Sequence, residues 1–184
     1  MLKWHHGYTP KLIKFALSQG NSTCKSIVEK FQDGNSDLCA LELVVALLPS
    51  TNYMRNGKST AASRTGSLMS LIQIHPNGTD INRFIQGKDE RQPFLLCLGM
   101  ETSPSEFFLI VDQTSIPAGN NIVQSFDRLF KFFFVFNVEF PPELFAVYNF
   151  FAKVVYKNKF PCRVLPQVRA LSAQLKDANS TSEP

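Results

Sequence analysis

The chain has 184 residues, 44% hydrophobic and 18% charged, so it is long enough to bury a core without disulfides or a structural metal. Its 19 Lys and Arg against 15 Asp and Glu give a net charge of +4, which excludes a polyelectrolyte and argues only weakly for nucleic acid. The composition is unusual in its 17 Phe against one Trp and four Tyr, and because Phe has no polar group, we expect most of these rings in a core or on an interface.

The cysteines and the N-terminus indicate the compartment. The four cysteines are widely spaced, with no C-x-x-C pair, which favours free thiols: Cys24, Cys39, Cys97 and Cys162. The first seven residues are polar and lack the apolar stretch of a signal peptide. The Phe-rich run at 132–138 is far shorter than the roughly 20 apolar residues of a membrane span. We therefore expect a soluble intracellular protein, either cytoplasmic or nuclear, with no membrane contact.

Composition divides the chain into four predicted segments. Residues 1–48 form an N-terminal helical segment of three pieces, starting at Thr9-Pro10, and Glu42 falls on the outer face of the third helix. Residues 49–67 are rich in Ser, Thr, Asn and Gly and form a flexible linker. Residues 68–158 form the core domain, and residues 159–184 form a last helix and a disordered tail.

The core domain is predicted to be α+β, with about four strands in a mixed or antiparallel sheet packed by two main helices. Strands are expected at 68–75, 94–98, 107–111 and 133–140, with a turn-rich loop at 112–119. The two continuous apolar runs, 94–98 and 107–111, should pair as inner strands. The main helices are expected at 120–131 and 142–156, the second covering the inner strands. The passage from Phe107 to Phe140 would then be a strand–helix–strand crossover.

No local signature of catalysis is present, since G-x-S-x-G, a Gly-rich phosphate loop, S-x-x-K and H-E-x-x-H are all missing. Asp80 and Asp112 each follow a predicted strand, where two carboxylates would suit Mg²⁺, but helix capping and turn formation explain them better. His75 is better explained as a turn residue than as a general base, and His5 and His6 lack accompanying ligands. The sequence favours a non-enzyme with no cofactor or metal.

Two binding roles remain. The first is a protein-interaction or scaffolding module that binds another protein or a second copy of itself through some rings of the Phe-rich region. The candidates are Phe132, Phe145 and Phe150. The alternative is sequence-independent nucleic-acid binding through cations in flexible segments, although no aromatic residues interleave for base stacking. Those cations are Arg55, Lys58, Arg64, Lys88 and Arg91.

The stretch 75–156 resembles a C-terminal region of uncharacterised animal proteins, found in fish and invertebrates, some of which carry a sterile alpha motif upstream. The resembling motifs are 78–81 (GTDI), 91–99 (RQPFLLCLG), 108–112, 125–131 (SFDRLFK), 134–138 (FVFNV), 148–150 and 154–156. The resemblance implies a tail module of a longer protein or a short relative of one. That family has no assigned activity, cofactor or catalytic residues, so the resemblance assigns no functional site in this chain.

Overall fold

The structure is a computed structural model of the full chain, and it describes residues 4–48, 53–55, 58–60, 63–86, 92–158 and 163–177. For 53–55 and 58–60 it describes the backbone alone.

The N-terminal segment is helical, as predicted. A π-helical turn at Trp4–Tyr8 leads into α1 (Thr9–Ser18), which is followed by α2 (Ser22–Lys30) and α3 (Ser36–Leu47). The caps of α2 and α3 are asparagines: the Asn21 side chain accepts a hydrogen bond from the Thr23 N–H, and the Asn35 side chain accepts one from the Leu38 N–H.

Helix α3 is buried on all sides, which overturns the prediction of an exposed Glu42. The Glu42 side chain is only 6% exposed, and both of its carboxylate oxygens accept hydrogen bonds from Lys30 Nζ at 2.9 Å. The helical spacing of apolar residues predicted an exposed face, but a helix enclosed by its neighbours has none. The buried Glu42 carboxylate is tolerated because it is paired with Lys30.

The sheet has four strands: β3 (Ile72–His75), β4 (Phe94–Met100), β5 (Ser103–Val111) and β6 (Thr114–Gly119). Their order is β3-β4-β5-β6, with β3 parallel to β4 and the other pairs antiparallel. The α+β class with a mixed four-stranded sheet is therefore confirmed, and so is the pairing of the two apolar runs as inner strands. A separate two-stranded ladder joins β1 (Tyr53–Arg55) to β2 (Lys58–Thr60).

The remaining helices follow in chain order. Helix α4 (Arg64–Leu71) precedes β3, and α5 (Ile81–Gln86) lies between β3 and β4. Helix α6 (Ile122–Val135) follows β6, and a 3₁₀ turn at Pro142–Leu144 then leads into α7 (Phe145–Phe150). A π-helical turn at Phe151–Val155 extends α7, and α8 (Pro166–Asp177) follows. We call the helical stretch 142–155 the α7 region.

The prediction of a strand at 133–140 is wrong, and with it the crossover from Phe107 to Phe140. Helix α6 continues to Val135 because Phe133 falls on the same buried face as Leu129 and Phe130. Asn137, two residues past the end of α6, has a left-handed φ of 52° and turns the chain out of the helix. The Val138 N–H donates to the Phe133 carbonyl at 2.9 Å. This is a Schellman motif, in which the left-handed residue is most often Gly and next most often Asn.

Two further boundaries differ from the prediction. The segment 68–75 begins as the last turn of α4 and becomes extended only from Ile72. The predicted loop after 111 contains β6, which is reached through a two-residue turn at Asp112 and Gln113 with φ values of 44° and 61°. Such a turn is normally marked by Asn-Gly, which is absent here, and β6 contains Pro117, which an edge strand tolerates.

The two faces of the sheet pack against different helices. Leu95 and Cys97 of β4 point into the large core that includes α1, α3, α6 and the α7 region. Phe94, Leu96 and Leu98 alternate to the other face, where they meet Ile85 of α5. Helix α6, rather than the predicted 142–156 helix, makes the main helical contact with the inner strands, and the α7 region packs against α6.

Candidate functional site

Four phenylalanine rings surround one buried tyrosine, Tyr148. Ring centroids of Phe133 and Phe140 lie 4.9 and 4.4 Å from that of Tyr148, and those of Phe126 and Phe130 lie 6.3 Å from it. The packed core that the composition predicted accounts for these rings.

The three predicted docking rings have different environments. Phe150 is 0% exposed and packs edge-on against Phe151, so its ring belongs to the core. Phe132 is half-buried and stacks on Phe136 with centroids 4.3 Å apart. Phe145 is exposed at the first turn of α7.

The largest apolar exposure in this region is at the end of α6, at residues the sequence reasoning did not select. Val135 is 74% exposed and Phe136 is 63% exposed, although both are large hydrophobic residues. Because the chain leaves the helix at Asn137, these two side chains lie on its last turn rather than in a strand of the sheet. An Asn directly after an apolar run was the available signal.

A groove of about 570 Å³ opens beside this helix end. Phe130, Phe134 and Val135 line it from α6, and Tyr156 and Lys157 line it from the end of the α7 region. We call it the aromatic groove. Its volume lies within the range of roughly 300–1,000 Å³ typical of ligand sites.

The floor of the aromatic groove is held by a polar contact under a ring stack. Tyr156 stacks on Phe130 with centroids 4.3 Å apart and planes 5° from parallel. The Tyr156 hydroxyl donates to Asp127 Oδ1 at 2.6 Å, and Lys131 Nζ donates to Asp127 Oδ2 at 2.6 Å. Burial, and then the Asp127 carboxylate, raise the pKa of Tyr156 above its usual range. The groove is therefore preformed.

The predicted nucleic-acid contacts are not assembled by the described residues. Arg64 is exposed at the first position of α4. The backbones of Arg55 and Lys58 face each other in the β1–β2 ladder, but their side chains lie outside the description, as do Lys88 and Arg91 entirely. Nucleic-acid binding through these residues stays a prediction.

The structure accounts locally for the carboxylates considered for Mg²⁺. Asp80 Oδ1 accepts the Arg83 N–H at 3.1 Å, as a helix cap does, and Asp112 occupies the left-handed turn between β5 and β6. The His75 ring packs against Phe84 with centroids 4.6 Å apart. Among the described residues no group of three His, Cys, Asp or Glu side chains is arranged to hold a metal ion.

One polar cluster was missed by the sequence reasoning because its members are far apart in the chain. His5 Nδ1 lies 2.6 Å from one oxygen of the buried Asp37 carboxylate, and the Thr9 hydroxyl donates to the other oxygen at 2.6 Å. The Asp37 carboxylate orients the His5 imidazole. The Thr9 hydroxyl, however, donates its hydrogen bond to Asp37 and not to the imidazole. The contacts fasten the N-terminal turn to α3.

The described cysteines are unsuited to nucleophilic chemistry. Cys24, Cys39 and Cys97 are buried free thiols. Burial raises the pKa of Cys39 to about 11 and raises that of Cys97 further, so both remain protonated at neutral pH. Cys162 lies outside the described residues.

The fold and groove together define an α+β protein with an exposed aromatic helix end. Comparison with known proteins finds no matching family model, no matching curated protein and no matching solved structure. In the described part of the chain no helix combines the length and apolar character needed to cross a bilayer.

Proposed function

We propose that this chain is a non-catalytic protein-interaction or scaffolding module that docks a partner protein at the aromatic groove and the adjoining Phe136. The observation that carries the proposal is the exposure of the consecutive residues Val135 and Phe136 at the end of α6, where Val135 also lines a preformed groove. Large adjacent apolar side chains are left in water at a cost of about 25 cal/mol per Å², which a partner would recover by covering them.

The rigidity of the surface favours docking. Phe136 is backed by Phe132, and the groove floor is held by the Tyr156–Asp127 hydrogen bond, so little side-chain freedom remains to be lost on binding. Rigid aromatic rings with one open side are typical anchors of protein interfaces. Phe145 is a second exposed ring that a large partner would reach separately.

Site-specific photocrosslinking tests the proposal. A benzophenone amino acid is placed at Phe136 in the full chain, with a matched control at Leu17, which is 49% exposed on α1. We expect a defined crosslinked protein from Phe136 and none from Leu17. The partner, once purified, should bind Phe136→Ser at least tenfold more weakly than the unchanged chain and bind Leu17→Ser equally well. Equal crosslinking at both positions, or unchanged affinity for Phe136→Ser, contradicts the proposal.

A further inference from the structure

The groove carries a charge pattern as well as an apolar floor. Its lining includes two lysines, Lys131 and Lys157, and no carboxylate. Lys131 is paired with Asp127, whereas Lys157 has no partner among the described residues. The rim of the aromatic groove is therefore cationic.

A second groove of about 350 Å³ begins on the other side of the same segment. It lies between the α7 region and α8, and it contains three cations, Lys153, Arg169 and Lys176, with one carboxylate, Asp177. One hydrogen bond links the linings of the two grooves, since Lys153 Nζ of the second donates to the carbonyl of Asn158, which lines the first, at 3.3 Å. Around the segment 153–158, five cations thus stand against two carboxylates.

From this arrangement we infer that the occupant of the aromatic groove is an acidic, amphipathic segment of a partner protein. The inference rests on the proposed function and adds the chemistry of the partner. Apolar side chains of the segment cover Val135 and Phe136 and enter the groove beside Phe134. Its Glu or Asp side chains face Lys157 and the cations of the second groove, as potentials of opposite sign do across interfaces.

A second copy of this chain fits less well. A two-fold symmetric contact places each surface opposite itself, so Lys157 and its neighbours would face their own counterparts. Like charges facing each other cost affinity unless a carboxylate intervenes, and the aromatic groove lining offers none. The charge pattern therefore favours a different molecule over a symmetric dimer.

A nucleic acid also fits less well, although it too is acidic. Single strands bind by stacking bases on open ring faces. Phe130 is buried under Tyr156, and one face of Phe136 is already covered by Phe132. Val135 is aliphatic and the most exposed large hydrophobic residue described, which suits an apolar peptide side chain rather than a base.

Fluorescence anisotropy with designed peptides on the full chain tests the inference. The probe is a labelled 16-residue helical peptide with Leu on one face and Glu elsewhere. One matched probe has Lys in place of Glu, another has Ser in place of Leu, and a third is a single-stranded oligonucleotide. We expect the Leu/Glu peptide to bind at least tenfold more tightly than each of the others, and more weakly as salt increases.

Four variants locate the binding. Val135→Ser and Lys157→Glu should each lower the affinity for the Leu/Glu peptide at least fivefold. The control variants at exposed sites, Leu17→Ser and Lys25→Glu, should leave that affinity unchanged. The variants lie on the surface, so circular dichroism should show an unaltered fold. Equal affinity for the Lys-containing peptide, with Val135→Ser still weakening both, overturns the charge assignment but leaves the proposed function standing. Tighter binding of the oligonucleotide, no peptide binding, or insensitivity to Val135→Ser overturns the inference, and photocrosslinking at Phe136 then decides the proposed function separately.

Discussion

The hydroxyl of Tyr156 donates a 2.6 Å hydrogen bond to Asp127 Oδ1, and this contact joins the end of the α7 region to the middle of α6. The same tyrosine ring lies flat on Phe130, so one residue supplies both the apolar floor of the aromatic groove and the polar contact that fixes its position. The shape of the candidate site therefore depends on two phenylalanine-rich helical stretches staying packed.

Alkaline pH should weaken this packing. The pKa values of Tyr156 and of the buried Tyr148 are raised in the folded protein, mainly by burial. A group with a raised folded pKa stabilises fully below its unfolded pKa, about 10 for tyrosine, and loses that contribution as pH rises toward the folded value. We expect the melting temperature to fall above about pH 10. The fall should be smaller in the double variant Tyr148→Phe, Tyr156→Phe, and an identical profile in that variant would contradict the assignment.

The buried Tyr148 hydroxyl should cost stability. Tyr148 is 0% exposed, and its oxygen has no hydrogen-bond partner among the described residues. An unpaired buried hydroxyl costs about 1–3 kcal/mol, so Tyr148→Phe should leave the free energy of unfolding unchanged or raise it by about 1 kcal/mol in urea titration. The matched control is Tyr8→Phe, which removes a 2.9 Å hydrogen bond to the Val154 carbonyl and should lower that free energy by about 1 kcal/mol. Destabilisation by Tyr148→Phe would mean that the hydroxyl has a partner.

The end of α6 should depend on the residue at position 137. Asn137 has a φ of 52°, a left-handed conformation that costs most residues about 1–2 kcal/mol and β-branched residues more. Asn137→Val should lower the free energy of unfolding by about 2 kcal/mol, whereas Asn137→Gly should be neutral or slightly stabilising. Glu139→Val, at an exposed loop residue without positive φ, serves as the control. If both valine variants lose equal stability, the Schellman motif is not the cause.

The buried pair between α2 and α3 should respond to removal of its cation. Lys30→Met leaves the Glu42 carboxylate buried and unpaired, which should lower the free energy of unfolding by about 3 kcal/mol at pH 7. Burial raises the pKa of Glu42, so the folded state holds the proton more tightly than the unfolded state, and the loss should shrink as pH falls toward 5. The double variant Lys30→Met, Glu42→Gln should recover most of the stability, and equal losses for the single and double variants would argue against the pair.

The sequence by itself located the first three helices and the inner strands. Thr9-Pro10 and the cap region before α3 depend on local backbone chemistry, and the runs beginning at Phe94 and Phe107 are apolar on both faces, which few environments other than inner strands satisfy. Local patterns of this kind can be read without knowing the neighbours.

Only the tertiary structure decided which apolar and charged residues meet solvent. The run 132–136 suits a strand or a buried helix equally well, and the packing of Phe133 against Tyr148 makes it helical. The same packing buries Phe150 and leaves Val135 and Phe136 in water, while α2 covers Glu42. Exposure depends on residues distant in the chain, and for this reason the site could be predicted as a Phe-rich region but not residue by residue.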